Sequence, residues 1–149
     1  MPMTLEEISD RMEIQELLVR YSHCVDTCDF DGLDHVFTPD AHIDYTAMGG
    51  AKGTLPEIKA FLSKAMPIFK SYQHMIGNTV LELDGDRATA RTICHNPMML
   101  DRKGEEWVYV CGLWYVDELV RTNEGWRIAQ RVEERCYVDN EPPEFKPRS

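Results

Sequence analysis

A chain of 149 residues with 43% hydrophobic residues has the material for one buried core, so a single domain spanning residues 1–149 is expected. Its formal charge of -10, with no cluster of Lys and Arg to interrupt it, excludes a surface built to neutralise phosphates, and nucleic acid is not an expected partner. The opening MPMTLEEISD is acidic and lacks the apolar core of a signal peptide, and no later stretch is apolar for long enough to span a bilayer; the expectation is a soluble, cytoplasmic protein with no membrane partner.

Thr4 followed by Glu7 is a capping-box signature that starts a helix near Leu5, running to about Cys28. At about 100° per residue, Ile14, Leu17, Leu18, Tyr21, Val25 and Cys28 form one apolar stripe. Leu5, Ile8, Met12 and Val19 form a second, so this helix is expected to be buried on two sides. Phe30 to Val36 reads as a short second helix, after which Pro39-Asp40 turns the chain into an extended AHIDYT. Thr54, Pro56 and Glu57 open a third helix with Ile58, Phe61, Leu62 and Ala65 on one face, ending near Pro67.

Beyond it, four long segments separated by turns read as antiparallel strands: Tyr72–Leu83, Arg87–Leu100, Trp107–Val120 and Trp126–Asp139. In the second, the even residues Ala88, Ala90, Thr92, Cys94, Asn96 and Met98 are expected to face inward. In the fourth, strict alternation turns Trp126, Ile128, Val132, Cys136 and Val138 inward and Arg127, Arg131, Glu133, Arg135 and Tyr137 outward. The core covers about 5–140, and the tail EPPEFKPRS (141–149) reads as irregular, lying over a neighbour or hanging free. Helices followed by a curled antiparallel sheet make an α+β plan in which the long helix crosses the concave side of the sheet and leaves a pocket.

The five cysteines, Cys24, Cys28, Cys94, Cys111 and Cys136, show no paired-ligand pattern and read as free thiols of a reducing compartment. Cys24 and Cys28 share a helical face, but the plain reading is two small apolar residues, and no metal is expected. Asp26 lies in the same helical sector as Ile8, Met12 and Val19. A carboxylate there is either buried, and then paired or hydrogen-bonded, or it solvates a helix that frays after Val25. The available partner is His74, at the head of a strand whose even positions are His74, Ile76, Asn78, Val80 and Glu82. A carboxylate on one ring nitrogen fixes the tautomer of a histidine and strengthens it as a base, so an Asp26–His74 pair in an apolar pocket is a general-base device. Without that pairing, His74 is a structural or surface residue, as His23, His35 and His42 read.

RYSHCVDTCDFDGLDHVFTPDAHIDYT, QHMIGNTVLEL and GLWYVDELVRTNEGWRIAQR together resemble the SnoaL-like group of the NTF2-like superfamily, over roughly Ile8 to Asn140. The resemblance implies a cone-shaped α+β barrel, with N-terminal helices packed on a curved, mostly antiparallel sheet that encloses a pocket, in a homodimer or homotrimer. It also implies chemistry without a cofactor, in which a helix-borne Asp pairs with a strand-borne His acting as base; Asp26 and His74 match those positions. Tyr21 and Tyr45 match pocket tyrosines of the group's dehydratases. Asn96 falls where bile-acid dehydratases carry an acid, and counting from the Trp of GWR gives Arg135 as a functional arginine. The second His of scytalone dehydratase has no counterpart, since Met98 stands near its place, and that enzyme's handling of water does not carry over. Ketosteroid isomerases of the superfamily share RY and D-x-D-G, but their base would fall at Tyr45, with Asp44 one residue early, and a one-residue slip turns a side chain to the other face.

The expected function is therefore a lyase of the dehydratase type: His74 removes a proton from carbon, Asp26 orients it, and Tyr21 and Tyr45 hydrogen-bond the substrate oxygen or leaving group. Met48, Phe61, Met75, Met98 and Trp114 suit a small hydrophobic, aromatic or polycyclic substrate, and each is equally suited to an ordinary core. Isomerisation, dehydrohalogenation and ring closure begin with the same proton removal. Two other classes stay open: a binding module with the pair as an anchor, and an assembly subunit that uses Arg127, Arg131, Glu133, Arg135 and Tyr137 as a wet interface.

Overall fold

The computed structural model describes residues 1–146, so the last three residues of the predicted tail lie outside the described ones. Helix α1 (Leu5–Asp26) begins at the capping box: Thr4 Oγ1 accepts from the Glu7 N–H at 3.1 Å and the Glu7 carboxylate accepts from the Thr4 N–H. Ile14, Leu17, Leu18, Tyr21 and Val25 are at most 4% exposed. Leu5, Ile8, Met12 and Val19 are at least 38% exposed, so the expected second buried face is corrected: the sheet covers one side of α1 only. Cys28 also leaves the stripe, because the helix stops at Asp26 and Cys28 turns out into solvent at φ 57.

A 3-10 turn (Asp31–His35) leads into strand β1 (Phe37–Asp44), then β2 (Lys52–Thr54) and helix α2 (Leu55–Ala65), which Thr54 caps as expected. The remaining strands are β3 (Ser71–Tyr72), β4 (Met75–Asp84), β5 (Arg87–Arg102), β6 (Glu105–Thr122) and β7 (Gly125–Asp139). They form one sheet in the order β2-β1-β7-β6-β5-β3, with β4 also on β5, which curves over α1 without closing on itself. Its pairings are antiparallel except that of β1 with β7.

Strand β5 turns its even residues inward as predicted, and Tyr109, Cys111, Leu113, Tyr115 and Leu119 of β6 continue the same buried row. Strand β4 departs after Ile76, where a register shift puts Thr79, Leu81 and Leu83 on the inward side and Val80 and Glu82 outside. Strand β7 departs in the same way. Its register slips between Ile128↔Leu119 and Gln130↔Glu118, so Ala129 is an extra residue and the alternation reverses beyond it. Arg131 then faces inward opposite Asp117, and Glu133 opposite Tyr115, while Val132 turns out. A second slip at Cys136 restores the predicted phase, so that Val138 faces inward opposite Cys111 and the Tyr137 ring covers Gly112 on the outside. The five residues expected to form one outer face are thus divided between both faces, and the interface built on them is withdrawn.

Two polar clamps hold this frame. Asp10 accepts from Arg121 Nη1 and Nη2 at 2.7 and 2.8 Å and from the Trp126 indole at 3.0 Å, tying α1 to the β6–β7 hairpin. The hydrogen bonds from Arg121 hold the Asp10 carboxyl below its ordinary range. Asp10→Ala should cost about 2 to 3 kcal/mol, read as a lower melting temperature. That loss is present above the ordinary carboxylate pKa and fades as the pH falls through the lowered pKa of the folded state. The tail, expected to hang free or cross a neighbour, instead folds back on its own chain. Glu144 accepts from Arg102 at 2.8 and 3.0 Å, Trp107 Nε1 donates to the Asn140 carbonyl, and the Phe145 ring packs 5.8 Å from Tyr109.

Candidate active site

Strands β3 and β4 follow a single register along β5, Tyr72↔Met98 and then Met75↔His95, which sets residues 73 and 74 opposite Pro97 and Asn96. The Gln73 N–H reaches the Pro97 carbonyl at 3.2 Å. Pro97 has no N–H to return, and the ladder breaks there. At the next residue the N–H points away from β5, as antiparallel alternation requires, and the His74 backbone N–H donates to Asp26 Oδ2 at 3.0 Å, with ring Nδ1 2.7 Å from Asp26 Oδ1. Tyr72, its hydroxyl 3.0 Å from Cys28 Sγ, pins the same segment to the end of α1. Asp26 is sheltered by this segment crossing the helix end, not by the second helix face the sequence suggested.

A carboxylate only accepts, so Nδ1 carries a proton, and in the neutral ring the lone pair sits on Nε2. The side chains of His74 and Asp26 are 9% and 26% exposed. Asn96 faces the same side from β5, buried, with Oδ1 lacking a hydrogen-bond partner among the described residues. Further in, the hydroxyls of Tyr21 and Tyr45 meet at 2.5 Å. Burial pushes the Tyr21 phenol up to about 12 and that of Tyr45 well above its ordinary value, so both are neutral donors. Burial also pushes the thiols of Cys94 and Cys111 up to about 12, which removes them as nucleophiles near neutral pH.

The centre of the polar interior is a pair the sequence reading missed. Arg131 and Asp117 are both fully buried, with Nε and Nη2 each 2.8 Å from a carboxylate oxygen. The guanidinium lies between the rings of Tyr21 and Tyr115, at 4.1 and 3.9 Å. Burial opposes its charge, but Asp117 outweighs burial and the guanidinium stays protonated. Glu133 stands beside it, and burial, reinforced by Asp44 and opposed by Arg131, pushes its carboxyl up to about 8. One signal could have found Arg131: Asp117 falls in the inward row of Leu113, Tyr115 and Leu119, and a buried carboxylate demands a cation across the ladder.

Of the predicted residues, Asp26, His74, Tyr21, Tyr45 and Asn96 thus lie on the inward side. Met98 joins them, with the Tyr109 hydroxyl donating to its sulfur at 3.9 Å. Phe61 and Met48 are half-buried against the core, the Phe61 ring 6.4 Å from Tyr45. Trp114 and Met75 are corrected, since both sit on the outer face, Trp114 under the Arg91 guanidinium and Met75 in solvent. Arg135 shares the inward register of Arg131 and Glu133 but is exposed at the rim, so the buried arginine of the site is Arg131. Asp44 accepts from the Thr46 N–H and hydroxyl in a local Asx turn, which occupies its carboxylate. A groove of about 430 Å³ opens next to the dyad segment between Tyr72, Gln73, Pro97 and Met98. No group of three or more metal-ligating side chains occurs among the described residues, and no helix there is long and apolar enough to cross a membrane.

Residues 6–132 match the SnoaL-like domain. An uncharacterized protein of Mycobacterium tuberculosis is 52% identical over 135 residues, covering 91% of both chains. A solved structure from Kribbella flavida superposes with a TM-score of 0.80 at 28% identity, over 89% of this chain and 94% of that one. Hexachlorocyclohexane dehydrochlorinase (LinA) Type2 shares the fold at 19% identity, with a TM-score of 0.78 over 93% of both chains. The chain belongs to the SnoaL-like domain family.

Proposed function

We propose that the protein is a cofactor-independent lyase of the dehydratase type, acting on a small hydrophobic molecule with an aromatic or polycyclic frame. The observation that carries this reading is the doubly held histidine: Asp26 accepts from both the backbone N–H and the ring Nδ1–H of His74, leaving Nε2 as a fixed base. Nε2 takes the proton from a carbon beside a carbonyl, and the electron pair moves onto the carbonyl oxygen. The resulting enolate re-forms the carbonyl and expels a hydroxyl group from the next carbon. That hydroxyl recovers the proton from the His74 imidazolium and leaves as water. Asp26 stabilises the imidazolium meanwhile, and Tyr21, Tyr45 and Asn96 supply neutral hydrogen-bonding groups to the substrate's oxygens. A fold relative named for dehydrochlorination supports elimination as the reaction class.

The test uses aryl-substituted β-hydroxy ketones in D2O, followed by proton NMR for both elimination and deuterium uptake at the α-carbon. Asp26→Asn should lower kcat by on the order of a hundredfold or more, with the melting temperature and KM little changed. An unaltered rate in the folded variant would take the dyad out of the mechanism.

A further inference from the structure

Among the described residues, nothing covers the apolar stripe on the solvent side of α1. Leu5, Ile8, Met12 and Val19 lie along it, and Leu5, Met12 and Val19 are each more than half exposed. The sheet side of the helix is already filled by Ile14, Leu17, Leu18 and Val25, so the fold itself makes no use of the stripe. A row of large apolar side chains held open along one face marks a docking surface. Its spacing is that of a helix pair: positions 5, 8, 12 and 19 follow alternating steps of three and four, with the polar Gln15 at the step between.

A shallow groove of about 530 Å³ follows the C-terminal half of the stripe, lined by Met12, Gln15, Glu16, Val19, Arg20 and His23. These six side chains frame two adjoining holes. Met12, Gln15, Glu16 and Val19 stand at i, i+3, i+4 and i+7, and so do Glu16, Val19, Arg20 and His23; four residues at that spacing receive one side chain from a facing helix. The N-terminal half of the same stripe carries the projecting side chains Leu5, Ile8 and Met12. With holes in one half and knobs in the other, the face complements itself when a second copy runs in the opposite direction.

We propose that α1 pairs with α1 of a second copy of this chain, antiparallel about a two-fold axis at the level of Glu13 and Ile14. Met12 of the second copy then enters the hole framed by Met12, Gln15, Glu16 and Val19, and its Ile8 enters the hole framed by Glu16, Val19, Arg20 and His23. In the same register its Leu5 reaches Val19, Ser22, His23 and Asp26, and the two-fold axis repeats every contact. Charge selects the same direction. At about 100° per residue, Glu6 and Arg20 lie on one flank of the stripe, and antiparallel pairing sets Glu6 of one copy beside Arg20 of the other, with the helix dipoles opposed. Parallel pairing would set Glu16 against Glu16 and Arg20 against Arg20. An anionic membrane does not suit the face, because Glu6, Glu13 and Glu16 border it and the chain carries a formal charge of -10. The pairing also reaches the dyad, since it brings Leu5 of the second copy beside Asp26, whose side chain its own fold leaves 26% exposed. It stands independently of the lyase reading.

Sedimentation velocity of the full chain from about 1 to about 200 µM should show a monomer–dimer equilibrium, with a Kd in the micromolar range that suits an interface made by one pair of helices. Met12→Glu and Val19→Glu replace side chains that a single copy leaves in solvent. Each should keep the wild-type circular dichroism and raise the Kd at least about thirtyfold. Arg20→Glu sets like charges together and should raise the Kd about tenfold. Adding Glu6→Arg restores an opposite pair only if the helices run antiparallel, and the double variant should return to within about threefold of wild type. A chain that stays monomeric at about 200 µM would overturn the proposal. So would a dimer that Met12→Glu and Val19→Glu leave intact, because the copies would then meet on another face. A double variant no tighter than Arg20→Glu would rule out the antiparallel register. Binding of monomeric wild type to phosphatidylcholine vesicles, lost in Val19→Glu, would assign the stripe to lipid and overturn the pairing.

Discussion

In His74→Ala, kcat for elimination should fall by on the order of a hundredfold or more, with deuterium uptake at the α-carbon falling in parallel. The variant loses the only ring nitrogen that the Asp26 carboxylate holds in place, so no other group takes over as a positioned base. Stability should change little, because Asp26 is 26% exposed and, once released, is solvated. Free imidazole added to the assay should restore part of the rate, since the space left by the ring and the Asp26 acceptor both remain. A kcat close to wild type, or a rate indifferent to imidazole, would place the base elsewhere.

The second large effect is on stability. Arg131→Met fills much of the same volume between Tyr21 and Tyr115 but leaves Asp117, fully buried, without its cation. Breaking a buried pair from one side costs about 3 to 5 kcal/mol, which in a domain of this size lowers the melting temperature by roughly 10 °C or more. The double variant Arg131→Met with Asp117→Leu removes both charges and should recover most of that loss. Urea denaturation of the two single variants and the double variant measures the coupling directly. A loss below about 1 kcal/mol in Arg131→Met would mean that water reaches Asp117.

Much of this was legible in the chain. The capping box at Thr4, the N-cap at Thr54, the turns between the long strands and the even-numbered inward row of β5 all follow from local chemistry and a period of two. Asp26 and His74 were legible too, but for an insufficient reason. The helical wheel puts Asp26 on a supposedly buried face, whereas its shelter comes from the segment that crosses the helix end, where the His74 N–H points away from β5 and toward the carboxylate. What stayed hidden depends on single-residue slips. Nothing in GWRIAQRVEER announces that Ala129 bulges, yet that one residue decides whether Arg131 and Glu133 face solvent or the interior. The exposed stripe of α1 shows the opposite limit, since apolar periodicity marks a face without stating whether anything covers it.

The parallel pairing of β1 with β7 bears on the order in which the molecule assembles. Among the described residues, β1 has two neighbours in the sheet, the three-residue β2 and the strand β7, which follows all the other strands in sequence. Until residues 125–139 exist, Phe37 and Ile43 have no sheet to enter, and α2, which packs on β1, has no settled seat. Folding must therefore close a loop spanning most of the chain, a long-range contact of the kind that slows folding. The hairpins of β4 to β6 are able to zip first from local contacts, with β1 and the α2 helix that packs on it docking after β7 is in place. A chain that lacked residues 125–139 would keep β1 paired to the short β2 alone, its other edge open.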